Sequence, residues 1–143
     1  MTVLVVAEHD GAKIRSGVCS ALAVARDLAR DSGDHVELLV LGSSLDSVAA
    51  DAARFAPVIV ADHALLANPT ADRYARIIAD VAKARDAVSI IANSTTFAKD
   101  ILPRAAALLS AAMAGDVTGY FFANGELLLR RPMYAGAAMA VVT

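Results

Sequence analysis

The sequence predicts an α/β fold, a doubly wound and mostly parallel sheet that ends in an antiparallel extension. Three observations predict it. Short, wholly apolar, β-branched runs recur along the chain, each followed by a segment with helical periodicity. Four such strand–helix units stand in series, the pattern of a parallel sheet with helices on both faces and right-handed crossovers. The hydrophobic share is 57% with only 5% aromatic residues, so alanine supplies much of the apolar count and suits helices packed closely on a sheet. At 143 residues the chain fits one domain.

Val3 to Ala7 is a continuous apolar run, as expected of a strand buried on both faces, and Glu8-His9-Asp10-Gly11 breaks it. Val18, Ala21, Leu22, Ala25, Leu28 and Ala29 then recur at helical steps, and Gly33 stands where a C-terminal cap is needed. His35 to Leu41 reads as a second strand. Ser44 is placed to cap a short helix from Leu45 to Phe55 that ends before Pro57. Val58 to Ala61 is a third strand and Asp62 to Thr70 a loop. Ala71 to Arg85 is a helix with Tyr74, Ile77, Ile78 and Val81 on one face. Val88 to Ala92 is a fourth strand. A fourth helix around Lys99 to Ala112 has Pro103 near its first turn, where a missing N–H costs least. Beyond Gly115, Val117 to Ala123 and Glu126 to Arg131 flank Asn124-Gly125, a tight-hairpin pair, and Ala137 to Val142 reads as one more strand.

Composition excludes several function classes. With 13 basic against 15 acidic residues, no excess of positive charge is available for a general nucleic-acid binder. The longest apolar stretch, Ala105 to Ala114, falls well short of the roughly 20 residues a bilayer span needs. Disorder is incompatible with a mean hydropathy of +0.55. A lone cysteine, Cys19, near the buried stripe of the first helix, reads as a small packed hydrophobe in a reducing compartment. The start of the chain has neither the basic segment nor the cleavage site of a signal peptide, so a cytoplasmic location is expected.

Little catalytic chemistry is written here. The eight glycines form neither GxGxxG nor a phosphate-binding P-loop, and Glu8 and Asp10 flank the first turn, where a pyrophosphate would approach. Ser94-Thr95-Thr96, with Lys99 one turn on, is the best anion site; helix capping is the simpler reading. His9 and His63 both follow strands, and a metal pair with Asp10 or Asp62 lacks a third ligand, so solvated loop residues are expected. No nucleophile–base pair suggests an enzyme. Arg130-Arg131-Pro132-Met133-Tyr134, beside an apolar tail, reads either as a surface that meets another chain or as a strand end with a solvated charge pair. Arg130, Arg131, Met133 and Tyr134 are the candidate interface residues.

Three segments carry a resemblance. The opening Val3-Leu4-Val5-Val6-Ala7-Glu8-His9-Asp10-Gly11, the stretch Thr95-Thr96-Phe97-Ala98-Lys99-Asp100-Ile101-Leu102-Pro103-Arg104-Ala105-Ala106, and Arg131-Pro132-Met133-Tyr134-Ala135-Gly136-Ala137-Ala138 together resemble the N-terminal domain of the electron transfer flavoprotein α subunit. Asp116-Val117-Thr118 extends the likeness, which runs in order along the whole chain. Ala98 replaces a common glycine and Ala137 a common asparagine, and the second change removes an amide from the domain boundary.

The resemblance implies a Rossmann-like, adenine-nucleotide-hydrolase-like fold and an electron carrier. It further implies a heterodimer with a β subunit, which accepts electrons from dehydrogenases and passes them to a quinone oxidoreductase through FAD. In that family a second domain of the α subunit holds the FAD, and Val142-Thr143 falls just where it would begin. The expectation is therefore a scaffold domain from a longer protein, with no cofactor-binding, catalytic or metal residues of its own, no membrane or nucleic-acid partner, and self-association possible when it is isolated. The rival expectation is a stand-alone module that binds AMP or ATP.

Overall fold

The structure is a computed structural model that describes residues 1–143. Strands β1 (Thr2–Val6), β2 (His35–Gly42), β3 (Val58–Asp62) and β4 (Ala87–Ile91) form a parallel sheet in the order β3-β2-β1-β4. Helices α1 (Val18–Ser32) and α2 (Asp46–Ala52) cover one face, and α3 (Ala71–Ala84) and α4 (Thr96–Leu109) the other. The apolar run of β1 explains this directly. Val3 and Val5 point to α1 and α2, while Leu4 and Val6 point to α3 and α4, all of them buried. Gly33 takes the left-handed conformation expected of the α1 cap, with its N–H on the Ala29 carbonyl.

Several local expectations are corrected. Ser44 does not cap α2. Its own φ is +60° and the N-cap position is taken by Leu45, while Asp62 fixes the turn just before the helix, its two carboxylate oxygens accepting from the Ser44 and Leu45 amides at 2.8 and 2.7 Å. The loop after β3 contains a 3-10 turn at Ala64–Leu66, with the His63 ring accepting the Leu65 amide. Helix α4 begins at Thr96, so Pro103 lies in the second half of a 14-residue helix, where it denies the Lys99 carbonyl its usual donor. Cys19 is exposed, on the solvent side of the stripe it was expected to join.

The largest difference concerns the C-terminal strands. Strands β5 (Gly119–Ala123), β6 (Glu126–Met133) and β7 (Ala138–Val142) do not extend the parallel sheet; they form a separate antiparallel sheet in the order β5-β6-β7. Asn124 and Gly125 both have positive φ, as a tight hairpin turn demands. The connection from β6 to β7 is strained, with Tyr134, Ala135 and Gly136 consecutively left-handed. No helix is long and apolar enough to cross a membrane.

Candidate functional site

Doubly wound sheets place ligands outside the carboxyl ends of their strands, where the strand order reverses. Here that point lies between β1 and β4, and the chain's own side chains occupy it. Thr95 caps α4 by accepting the Ala98 amide at 3.2 Å and donates its hydroxyl proton to the Glu8 carboxylate. Ser94 and Lys99, the other two members of the predicted anion site, both turn to Asp116, with Lys99 Nζ at 2.8 Å and the Ser94 hydroxyl donating to the same oxygen. Hydrogen bonds from Lys99 and Ser94, with Arg131 adding positive potential, hold the Asp116 carboxyl below its ordinary range. The anion at this helix N-terminus is thus intramolecular.

Neighbouring groups are engaged likewise. Asp10 accepts the Ala12 and Lys13 amides at 2.9 and 2.8 Å; these bonds, Lys13's foremost, hold its pKa down. The His9 ring bonds the Leu41 carbonyl through Nε2 at 2.8 Å and accepts the Gly11 amide at Nδ1, an arrangement that fixes its neutral Nε2–H tautomer. A Cβ at Gly42 would begin 3.3 Å from that ring and 3.0 Å from Leu45 Cδ2, so a side chain there would have to push these two neighbours by a few tenths of an ångström. His9 and His63 do lie at the same sheet edge, but each spends Nδ1 on a backbone amide. No group of three or more His, Cys, Asp or Glu is placed to hold a metal ion. With Glu8, Asp10 and Asp116 ranged around it, and no glycine-rich turn, this edge does not fit a flavin or nucleotide pyrophosphate.

The antiparallel sheet is a different kind of surface. Tyr120 on β5 donates to Asp27 of α1 at 2.9 Å, turning one sheet face toward the body. Burial first, and the Asp27 carboxylate next, raise the Tyr120 pKa. Alternation then decides the rest. Tyr120, Leu129 and Arg131 share the inward face; Phe121, Leu128, Arg130, Pro132, Met139 and Val141 share the outward one. Arg130 and Arg131, expected as a pair, therefore part company. Arg130 is exposed with its guanidinium 5.9 Å from the Phe121 ring centre, whereas Arg131 is half-buried with Nε lacking a partner. Met133, on the inward register, is 40% exposed at the strand end, and Tyr134 is 82% exposed on the strained turn.

Sequence reasoning missed Phe121, Met139 and Val141, although a two-residue period applied to the predicted strands would have put them beside Arg130. It also missed Asp116, whose role depends on a contact across 22 residues.

Residues 3–143 match the electron transfer flavoprotein domain. The chain belongs to that family. It is 38% identical over 148 residues to the mitochondrial electron transfer flavoprotein subunit alpha of Oryza sativa subsp. japonica, covering 99% of this chain and 40% of that protein. To the alpha subunits of Paracoccus denitrificans and Pseudomonas aeruginosa it is 37% and 32% identical, covering 99% of this chain and 44% of each relative. The chain thus spans about two fifths of the length of the curated relatives it matches. Within the electron transfer flavoprotein family it aligns with α subunits, and the sheet edge described above is part of the matched region.

Proposed function

We propose that this chain is the scaffold domain of an electron transfer flavoprotein α subunit, which packs on a β subunit through its antiparallel sheet while FAD is held by a separate domain. Electrons then pass from dehydrogenases to a quinone oxidoreductase without a chemical step on these residues. One observation carries the reading: an outward sheet face of Phe121, Pro132, Met139 and Val141, rimmed by Arg130 and Tyr134, is left without cover. Arg, Tyr and Met are enriched in interfaces. Burying a few hundred Å² of such surface is worth several kcal/mol at about 25 cal/mol per Å², before association costs. The strained turn at Tyr134–Gly136 supports the same reading, because backbone strain is kept where a surface has a task. The proposed compartment is the cytoplasm; relatives named mitochondrial span the same residues.

The test is to mix the purified chain with the β subunit of the same source. A one-to-one complex and a colourless chain are expected, with self-association through the same sheet when the β subunit is withheld. Stoichiometric flavin on the isolated chain, or micromolar AMP or ATP binding by calorimetry, would replace this reading with a nucleotide-binding module.

A further inference from the structure

Two dipeptides place an acid or amide side chain before a positive-φ glycine, Asp10-Gly11 and Asn124-Gly125, and the structure treats them oppositely. In the first, the Asp10 carboxylate accepts the Ala12 and Lys13 amides and the Gly11 amide donates to the His9 ring, so carboxyl and backbone nitrogen are each held. In the second, both residues are exposed, with φ of +53° and +81°, and they form the whole loop between the paired residues Ala123 of β5 and Glu126 of β6. No hydrogen bond engages the Asn124 side chain or the Gly125 amide. The other two asparagines are poorly disposed to react. Asn68 precedes Pro69, whose nitrogen carries no proton, and Asn93 is half-buried, with its Nδ2 packed against Gly17 and a serine following it.

We propose that Asn124 is a site of spontaneous covalent modification, deamidation through a succinimide, with water as the only co-reactant. A base in solvent takes the Gly125 amide proton, and the nitrogen attacks Asn124 Cγ. The N–Cγ bond forms, the Cγ–Nδ2 bond breaks, and Nδ2 gains a proton and leaves as ammonia. Glycine favours the ring closure because no Cβ crowds the attacking nitrogen. Rotation about the Asn124 Cα–C bond brings nitrogen and Cγ together, and in an exposed two-residue loop such local opening costs little. Water then opens the ring at either carbonyl, with no change of oxidation state. Opening at Cγ gives aspartate. Opening at the main-chain carbonyl gives isoaspartate, in which the backbone runs through Cβ and Cγ.

The two products differ in what they do to the fold. Aspartate leaves the hairpin intact, because Asp-Gly suits the same positive-φ turn. Isoaspartate inserts a methylene into a loop whose length sets the strand register, so the Ala123–Glu126 pair no longer closes. Either product adds one negative charge beside Glu126. The hairpin that carries Phe121 and Phe122 is therefore altered at its tip by a reaction that needs no partner and stands apart from the proposed role of the sheet.

The experiment stores the isotope-labelled whole chain at mildly alkaline pH and follows it by NMR, with mass mapping of its peptides at intervals. The Asn124 side-chain amide resonances should decay and two new sets appear, aspartyl and isoaspartyl, at a rate within about tenfold of that in the urea-unfolded chain. Conversion at Asn93 and isomerisation at Asp10 should each be at least about tenfold slower in the folded chain. The isoaspartyl set should lose the cross-strand contact between Ala123 and Glu126, which the aspartyl set keeps. Asn124→Gly, which retains a turn-forming pair, should abolish both sets. The inference is overturned if Asn124 stays intact in the folded chain, if Asn93 or Asp10 reacts as fast, or if the isoaspartyl set keeps the Ala123–Glu126 contact.

Discussion

Replacing Tyr74 by phenylalanine isolates one hydrogen bond, the one that ties the 3-10 turn at Ala64–Leu66 to α3. Tyr74 is 3% exposed, and its ring meets Phe97 edge-on at 5.9 Å, so Phe preserves the packing. What is lost is the hydroxyl, which donates to the Leu66 carbonyl at 2.8 Å. The Leu41 carbonyl, 3.4 Å from the same hydroxyl, is not stranded, because His9 bonds it at 2.8 Å. Leu66 is only 4% exposed, so water is poorly placed to replace the lost donor at its carbonyl. A net hydrogen bond of about 1 kcal/mol plus part of the cost of an unpaired buried carbonyl gives a destabilisation of about 1–2 kcal/mol. For a chain of this size that is a fall of about 3–8 °C in Tm.

Urea unfolding should show a lower midpoint with an unchanged slope, and hydrogen exchange should quicken first at Ala64–Leu66. Burial also raises the Tyr74 pKa. With the folded value above the unfolded one, its neutral form contributes stability that is complete below about pH 10 and lost as pH rises through the folded value. The alkaline fall in stability should therefore be shallower in Tyr74→Phe. A variant within about 0.3 kcal/mol of the parent, with the same alkaline limb, would refute the assignment of this bond.

Asp116→Asn removes a carboxylate whose pKa is lowered by Lys99 and Ser94. Its contribution is present above the unfolded value of about 4 and lost as pH falls through the lowered folded value. The stability gap between parent and variant should therefore close in acid, and a gap constant across the acid range would contradict the ion pair. Phe121→Ser should cost the isolated chain no more than about 1 kcal/mol, because Phe121 is 38% exposed, yet weaken β-subunit binding at least about tenfold. Unchanged affinity, read by calorimetry, would remove that sheet face from the proposed interface. At Gly17, an added Cβ would fall 1.9 Å from Asn93 Nδ2, so Gly17→Ala displaces that side chain. Gly17 has helical φ of −62°, so alanine itself is favourable there by about 0.4–1 kcal/mol. The substitution should thus stabilise an Asn93→Ala background and cost about 1 kcal/mol more in the parent; additive effects in the double-mutant cycle would exclude the contact.

What the sequence made legible follows from the range over which each signal acts. Val3 to Val6, buried on alternate faces, declares a central strand without help from any other segment. Gly33 and Asn124-Gly125 declare their turns because left-handed backbone is a local requirement. Asp62 on the Leu45 amide, Thr95 on Glu8 and Tyr120 on Asp27 join residues 17 to 93 positions apart, and nothing near either partner marks it. The detached antiparallel sheet was hidden for a related reason. Alternation fixes which face a strand buries, but the sheet it joins depends on the chain between Leu109 and Gly119, where Ser110 and Asp116 adopt left-handed backbone.

The candidate site divides along the same line. Arg130 and Arg131 were visible as residues, yet adjacent strand positions must face opposite ways, and only the Tyr120–Asp27 bond decides which arginine turns inward. At the strand ends, the hydroxyls and Lys99 were visible as an anion site, but the anion lay 17 residues beyond Lys99, in Asp116. That contact has a functional corollary. A phosphate entering between β1 and β4 would have to displace Asp116 from Lys99 and Ser94 and meet Glu8 at Thr95, exchanging two satisfied carboxylates for like-charge repulsion. At this edge the doubly wound fold spends its polar groups on holding its own loops. Exposed apolar side chains stand on the second sheet as well, among them Phe121, Met139 and Val141, and that sheet is joined to the body by the Tyr120–Asp27 bond.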